Sequence, residues 1–185
     1  RDRRGRQDHT GLMPILIRRL ALTDRDDYLQ AASEFAGSGF EWRAPQEPDL
    51  PWGDYVATVD AWEKGESLPS GWVPVTTRVA EWDGVVAGRL SVRHELNDFL
   101  RTAGGHIGYG VRPEFRRRGI ATALLREGLS IAQWVGVTAV LITCRDDNYG
   151  SAAVIERCGG KFRDTVIHPV HGDLMRRYDI ALSPA

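Results

Sequence analysis

The stretch from His106 to Arg145 constrains the fold more than any other. It runs from a strand, "HIGYGVR", through Arg116-Arg117-Arg118-Gly119 into a helix, and returns as a second strand, "TAVLITCR". The helix is legible from its period. Ile120, Ala121, Leu124, Leu125, Gly128, Ala132 and Val135 recur at the spacing of one helical face, so residues 117–135 are expected to form an amphipathic helix. The second strand is short and apolar, the pattern of a buried one. Gly108 and Gly110 lie inside the first strand, which suggests a bulge or the close approach of another group.

The other elements follow from similar signals. "PILIRRL" reads as a strand. "TDRDDYLQAASEFAG" reads as a helix with Thr23 as its cap and Gly37 as its stop. Residues 38–51 and 66–71 read as loops around a second helix, "WGDYVATVDAWEKG". Asp83-Gly84 is a hairpin signal between strands at 73–82 and 85–94. "NDFLRTAGG" reads as a turn. "NYGSAAVIERCGG" reads as a helix ending at Gly159-Gly160, and residues 161–182 as a hairpin around His171-Gly172. The order is β-α-α-β-β-β-α-β-α-β-β: an α/β chain with a mixed central sheet flanked by helices. Residues 13–185 are expected to form one domain. Residues 1–12, polar and preceding the first methionine, Met13, read as an N-terminal extension.

The chain has 24 basic and 25 acidic residues, for a net charge of -1. No overall field draws it to nucleic acid or an anionic membrane, so the arginine run needs a local reason. No apolar run approaches the roughly 20 residues of a spanning helix. Cys144 and Cys158 are too few for a disulfide framework and suit a reducing cytoplasm. Cys144 lies in the apolar strand and reads as an inert core thiol. Trp42, Trp52, Trp62 and Trp72 crowd the N-terminal half, and two or more are expected in the core. No metal is expected. His168 and His171 have neither cysteine nor carboxylate company. Counting from Asp146, Gly150 and Ser151 occupy positions where a calcium loop needs Asp or Asn and then Gly.

The arginines lead into a helix N-terminus, where unpaired N–H groups and the helix dipole favour an anion. Glycine lets backbone approach a ligand, and guanidinium suits phosphate. A bare solvated helix start would read the same way. The P-loop pattern is missing, and the glycines at 105, 108 and 110 lack the dinucleotide-binding spacing.

Arg116-x-x-Gly119-x-Ala121 matches the Arg/Gln-x-x-Gly-x-Gly/Ala motif of the GNAT acetyltransferases, and "NYGSAAVIERCGGKF" resembles that superfamily's second cofactor motif. The likeness spans roughly residues 72–180, and "GGHIGYGVRP…LITCRDDN" resembles a bacterial subgroup. The resemblance implies the GNAT fold and acetyl-CoA as co-substrate. Val111 would pair with the pantetheine arm. Amides from Arg116 through Arg117, Arg118, Gly119 and Ile120 to Ala121, with Thr122, would hold the pyrophosphate. Spare guanidiniums of Arg117 or Arg118 would meet the 3′-phosphate or water. Asn148 would bond the cofactor arm, with Ser151 nearby; Asn148 reads equally as a helix N-cap.

The implied reaction is direct acetyl transfer to the amine of a small molecule or peptide, by a monomer or homodimer. An alkyl ammonium must first lose a proton. Glu95, at the end of the strand before "HIGYGVR", is the first choice of base, with His94 and His106 as alternatives. Amides of the glycine-bearing strand would stabilise the oxyanion. Many relatives carry a tyrosine acid seven residues after the asparagine, where this chain has Ile155. Tyr149, Tyr178 or Tyr109 would have to substitute, or water. A non-catalytic CoA-binding sensor is the alternative that Ile155 leaves open.

Overall fold

Residues 14–43 and 50–182 are described here in a computed structural model. The proposed extension at 1–12 and part of the 38–51 loop fall outside them. The elements are β1 (Leu16–Arg18), α1 (Arg25–Glu34), α2 (Trp52–Glu63), β2 (Val75–Trp82), β3 (Val85–Arg93), β4 (Ile107–Val111), α3 (Ile120–Trp134), β5 (Ala139–Arg145), α4 (Tyr149–Arg157), β6 (Lys161–Ile167) and β7 (Leu174–Ala181). Their order is the expected one.

They form one sheet in the order β1-β2-β3-β4-β5-β7-β6. Neighbours are antiparallel except β4 and β5, which are parallel through the register pair Ile107↔Ile142. A parallel pair needs a crossover, and α3 supplies it. Ile120, Leu124, Leu125, Gly128, Ile131 and Ala132 of α3 are buried against Leu90, Val92, Ile107 and Val111 of the sheet. Leu124 and Leu125 each contribute about 1.5–3 kcal/mol by leaving water.

The opposite face carries a second core of Tyr28, Trp42, Tyr55, Val59 and Trp62 under α1 and α2. Trp42 and Trp62 are the core tryptophans that composition predicted. The register of β2 and β3 passes from Ala80↔Gly88 to Glu81↔Val86, which leaves Ala87 as a bulge.

Two boundaries differ from expectation. α3 starts at Ile120 rather than 117, because Arg117 (φ 64°) and Gly119 (φ 83°) are left-handed and cannot continue a helix. The segment read as a turn at 97–105 contains a helical turn over Leu100–Gly104, with Asn97 Oδ1 accepting from the Leu100 amide at 2.9 Å. Leu100 and Ala103 are buried beneath it. One turn is too short to show a period.

Candidate active site

β4 and β5 are bonded only at their first step. Backbone bonds from Arg93 N to His106 O (2.8 Å) and from Arg112 N to Ala87 O (2.9 Å) turn the even-numbered residues of β4 toward β3. Strand alternation then turns the backbone groups of Tyr109 and Val111 toward β5. The pairing of β5 with β4 has already stopped at Ile107↔Ile142. The two strands thus part into a wedge with available backbone polar groups on one wall.

α3 begins at the open end of this wedge. Its cap residue is Gly119, no side chain bonds the first turn, and the first intrahelical bond runs from Ala123 N to Gly119 O at 3.0 Å. The amides of Ile120, Ala121 and Thr122 therefore point out of the helix without a capping partner. The left-handed conformations of Arg117 and Gly119 curl the preceding loop, a backbone form that makes anion-binding concavities. Arg116 Nε reaches back to Val111 O at 3.3 Å, and the Arg118 guanidinium lies 5.5 Å from the centroid of the Trp82 ring. Arg116, Arg117 and Arg118 are all exposed.

This loop-and-wedge arrangement lies inside the segment 37–160 that matches the profile of the Acetyltransferase (GNAT) family. The chain belongs to that family. No curated protein matches the sequence of this acetyltransferase. Solved structures share its fold, among them the following three. A putative acetyltransferase, yncA of Salmonella typhimurium with its cofactor acetyl-CoA, is 14% identical with a TM-score of 0.62, over 92% of this chain and 95% of that one. A GNAT-family acetyltransferase from Streptococcus pneumoniae is 13% identical with a TM-score of 0.66, over 92% and 100%. RimJ of Mycobacterium smegmatis in complex with CoA-disulfide is 20% identical with a TM-score of 0.66, over 89% and 80%.

The remaining candidates of this GNAT acetyltransferase divide by position. Asn148 caps α4, its Oδ1 accepting from Ser151 N at 3.0 Å, so the capping role foreseen for it is filled. The Ser151 hydroxyl lies 2.9 Å from the Tyr109 hydroxyl, joining β4 to α4 across the wedge. Burial pushes the Tyr109 phenol up, so it stays protonated. Ile155, four residues after Ser151 on the same face of α4, is fully buried. Burial likewise pushes the Cys144 thiol up to about 11, which keeps it inert.

Glu95 does not close a strand as expected. β3 ends at Arg93, and Glu95 is exposed in the bend that follows. The His94 amide bonds Pro74 O at 2.9 Å, the last bond of the β2–β3 ladder, and His94 Nε2 lies 2.9 Å from Thr76 Oγ1; Glu95 follows past the end of this pairing. His106 is buried, with Nδ1 accepting from the Leu141 amide at 2.9 Å. Burial lowers the pKa of both histidines, and Arg93 adds to the effect at His106.

Tyr149 and Tyr178 are not brought to Glu95. Tyr149 opens α4 beyond the far end of β5, 71% exposed beneath the Arg176 guanidinium. Tyr178 is fully buried against Phe162, its hydroxyl 3.4 Å from Glu156 Oε1. Of the tyrosines considered, only Tyr109 stands on a strand that bounds the wedge, with its hydroxyl on Ser151 of α4. The sequence marks it only faintly, as one aromatic between two glycines.

Proposed function

We propose that this acetyltransferase moves the acetyl group of acetyl-CoA directly to a primary amine. One observation carries the reading: an uncapped helix N-terminus stands at the mouth of a wedge whose wall offers strand amides. The first suits a diphosphate and the second an amide-bearing arm added as a strand. Two of the structural relatives hold acetyl-CoA or a CoA disulfide. Amides of Ile120, Ala121 and Thr122 hold the pyrophosphate, Arg116 adds charge, and Val111 bonds the pantetheine. An amide on the wedge wall, at Tyr109, faces the thioester oxygen as negative charge develops there.

Glu95, exposed two residues past the end of β3, removes the ammonium proton through water. Tyr109 returns a proton to the departing thiolate. Its hydroxyl meets α4 at Ser151, one turn from Ile155, so the aliphatic residue at 155 does not deprive the wedge of an acid. A reducing cytoplasm suits both the thiol product and the free cysteines of this chain.

Replacing Arg116 by alanine is expected to weaken acetyl-CoA binding about 10- to 100-fold, the worth of a charge-assisted hydrogen bond. Calorimetric titration measures it, and unchanged affinity would remove Arg116 from the phosphate site. Glu95→Gln is expected to lower kcat more at low pH than at high, because amine that is already neutral needs no base. An equal loss across the pH–rate profile would reject Glu95. Thiol release from acetyl-CoA across a panel of amines tests the reaction itself.

A further inference from the structure

Most arginines packed on this sheet have a carboxylate beside them. Arg78 meets Glu63 at 2.9 Å, Arg112 meets Glu34 at 2.7 Å, and Arg177 meets Asp164 at 2.6 Å. Arg89 and Arg93 depart from this pattern. Both stand on the face of β3 turned away from α3, since Leu90 and Val92 between and beside them enter the α3 core. Among the described residues neither has a carboxylate within ion-pair distance. Arg93 Nη1 donates only to the Gly104 and Gly105 carbonyls, at 3.4 and 3.2 Å. Arg89 Nη1 donates to Glu41 O at 3.3 Å, and its Nε is buried with no partner.

The neighbourhood is rich in donors and poor in acceptors. The buried side-chain polar atoms left unpartnered among the described residues are Trp42 Nε1, Arg43 Nε and Arg89 Nε, all N–H groups. Burial, and then the like charge of Arg89, lowers Arg93 to about 10, against the weaker opposing charge of Glu41, which lies beyond ion-pair distance. A half-buried guanidinium without a counter-ion is costly, and an arriving anion offsets that cost.

The position is as telling as the charge. Arg89 pairs with Gly110 and Ser91 with Gly108, so the arginines flank a strip of β4 that has no side chains. A Cβ at Gly108 would sit 3.8 Å from Arg93 Nη1, and one at Gly110 would meet the Phe40 ring at 2.8 Å. The strip is the opposite face of the strand whose edge forms the wedge. The Phe40 ring covers the strip at Gly110, and the part left partly open, at Gly108, lies between the Arg93 guanidinium and the wedge apex, so a molecule there has an anionic group within reach of Arg93.

We propose that Arg93 and Arg89 are the acceptor-recognition residues, and that the acceptor is a small primary amine bearing an oxyanion, a carboxylate or a phosphoryl group. The inference rests on the transfer reaction proposed above and names the substrate class for it. Guanidinium binds either group through paired N–H donors, which neutral amines cannot engage.

The test uses matched pairs: 4-aminobutyrate against butylamine, and phosphoethanolamine against ethanolamine. Wild-type protein is expected to favour the anionic member of at least one pair by about 10-fold or more in kcat/KM, and the pair that responds tells carboxylate from phosphoryl. In Arg93→Gln the preference is expected to shrink to within about 3-fold while acetyl-CoA affinity is unchanged, and Arg93→Lys is expected to keep part of it. A merely structural role for Arg93, holding the Gly104–Gly105 carbonyls, would not move this ratio.

Equal rates within both pairs, or a preference that survives both Arg93→Gln and Arg89→Gln, would overturn the proposal and leave the transferase reading intact. Should no amine release thiol, the transferase reading falls. Calorimetry of 4-aminobutyrate and phosphoethanolamine into acetyl-CoA-saturated protein then decides the subsite. Binding that Arg93→Gln abolishes upholds it, and no binding to wild type overturns it.

Discussion

Replacing Gly105 by alanine is expected to destabilise the protein by about 3–5 kcal/mol and to lower Tm by about 10 °C. Gly105 has φ 66° and ψ -176°, a region that residues with a Cβ scarcely enter. A Cβ there would also stand 2.6 Å from Leu141 O, a backbone atom of the central strand β5. That carbonyl accepts the His106 amide at 2.7 Å, one residue before the step where β4 and β5 pair. Relieving the clash would force the strands apart at the apex that sets the width of the wedge. Thermal unfolding followed by circular dichroism measures the loss, and a Tm within about 2 °C of wild type would refute it.

Glu34→Ala is expected to cost about 3 kcal/mol, because it leaves the buried charge of Arg112 with only the exposed carboxylate of Glu114, 3.2 Å from Nη2. Arg112 is 1% exposed, gives Glu34 two hydrogen bonds at 3.0 and 2.7 Å, and holds Val86 O at 3.2 Å beside the Ala87 bulge. The pair ties α1 to the start of the phosphate loop. Adding Arg112→Met to Glu34→Ala is expected to restore more than half of the loss, since the buried and now weakly compensated charge disappears. Urea unfolding at constant m measures both, and full additivity would show that the two residues are not coupled.

The same pair predicts a pH dependence. The Arg112 guanidinium holds the Glu34 carboxyl below the usual carboxylate range. Its contribution to stability is present above the unfolded pKa, near 4.3 for a free glutamate. It is lost as pH falls through the lower folded value. Glu34→Ala is therefore expected to flatten the acid limb of the stability profile, and an unchanged limb would deny the linkage.

The sequence by itself determined the element order and the family. Period-3.6 and period-2 patterns and the Asp83-Gly84 turn are local, and "RRRGIA" with "NYGSAA" fall on a strand-to-helix and a loop-to-helix junction that local signals already mark. Asn148 also fills the capping role that its position alone suggested. Only the tertiary structure decided the rest. Whether Glu95 sits on a strand depended on where β3 stops pairing with β2, at Val75↔Arg93 with one further bond from His94 N to Pro74 O. The buried Arg112–Glu34 pair joins residues 78 apart. Tyr109 among three tyrosines, and Arg89 and Arg93 among many arginines, stand out only once β4 parts from β5. A side chain's chemistry follows from what surrounds it, and those surroundings come from elements far apart along the chain.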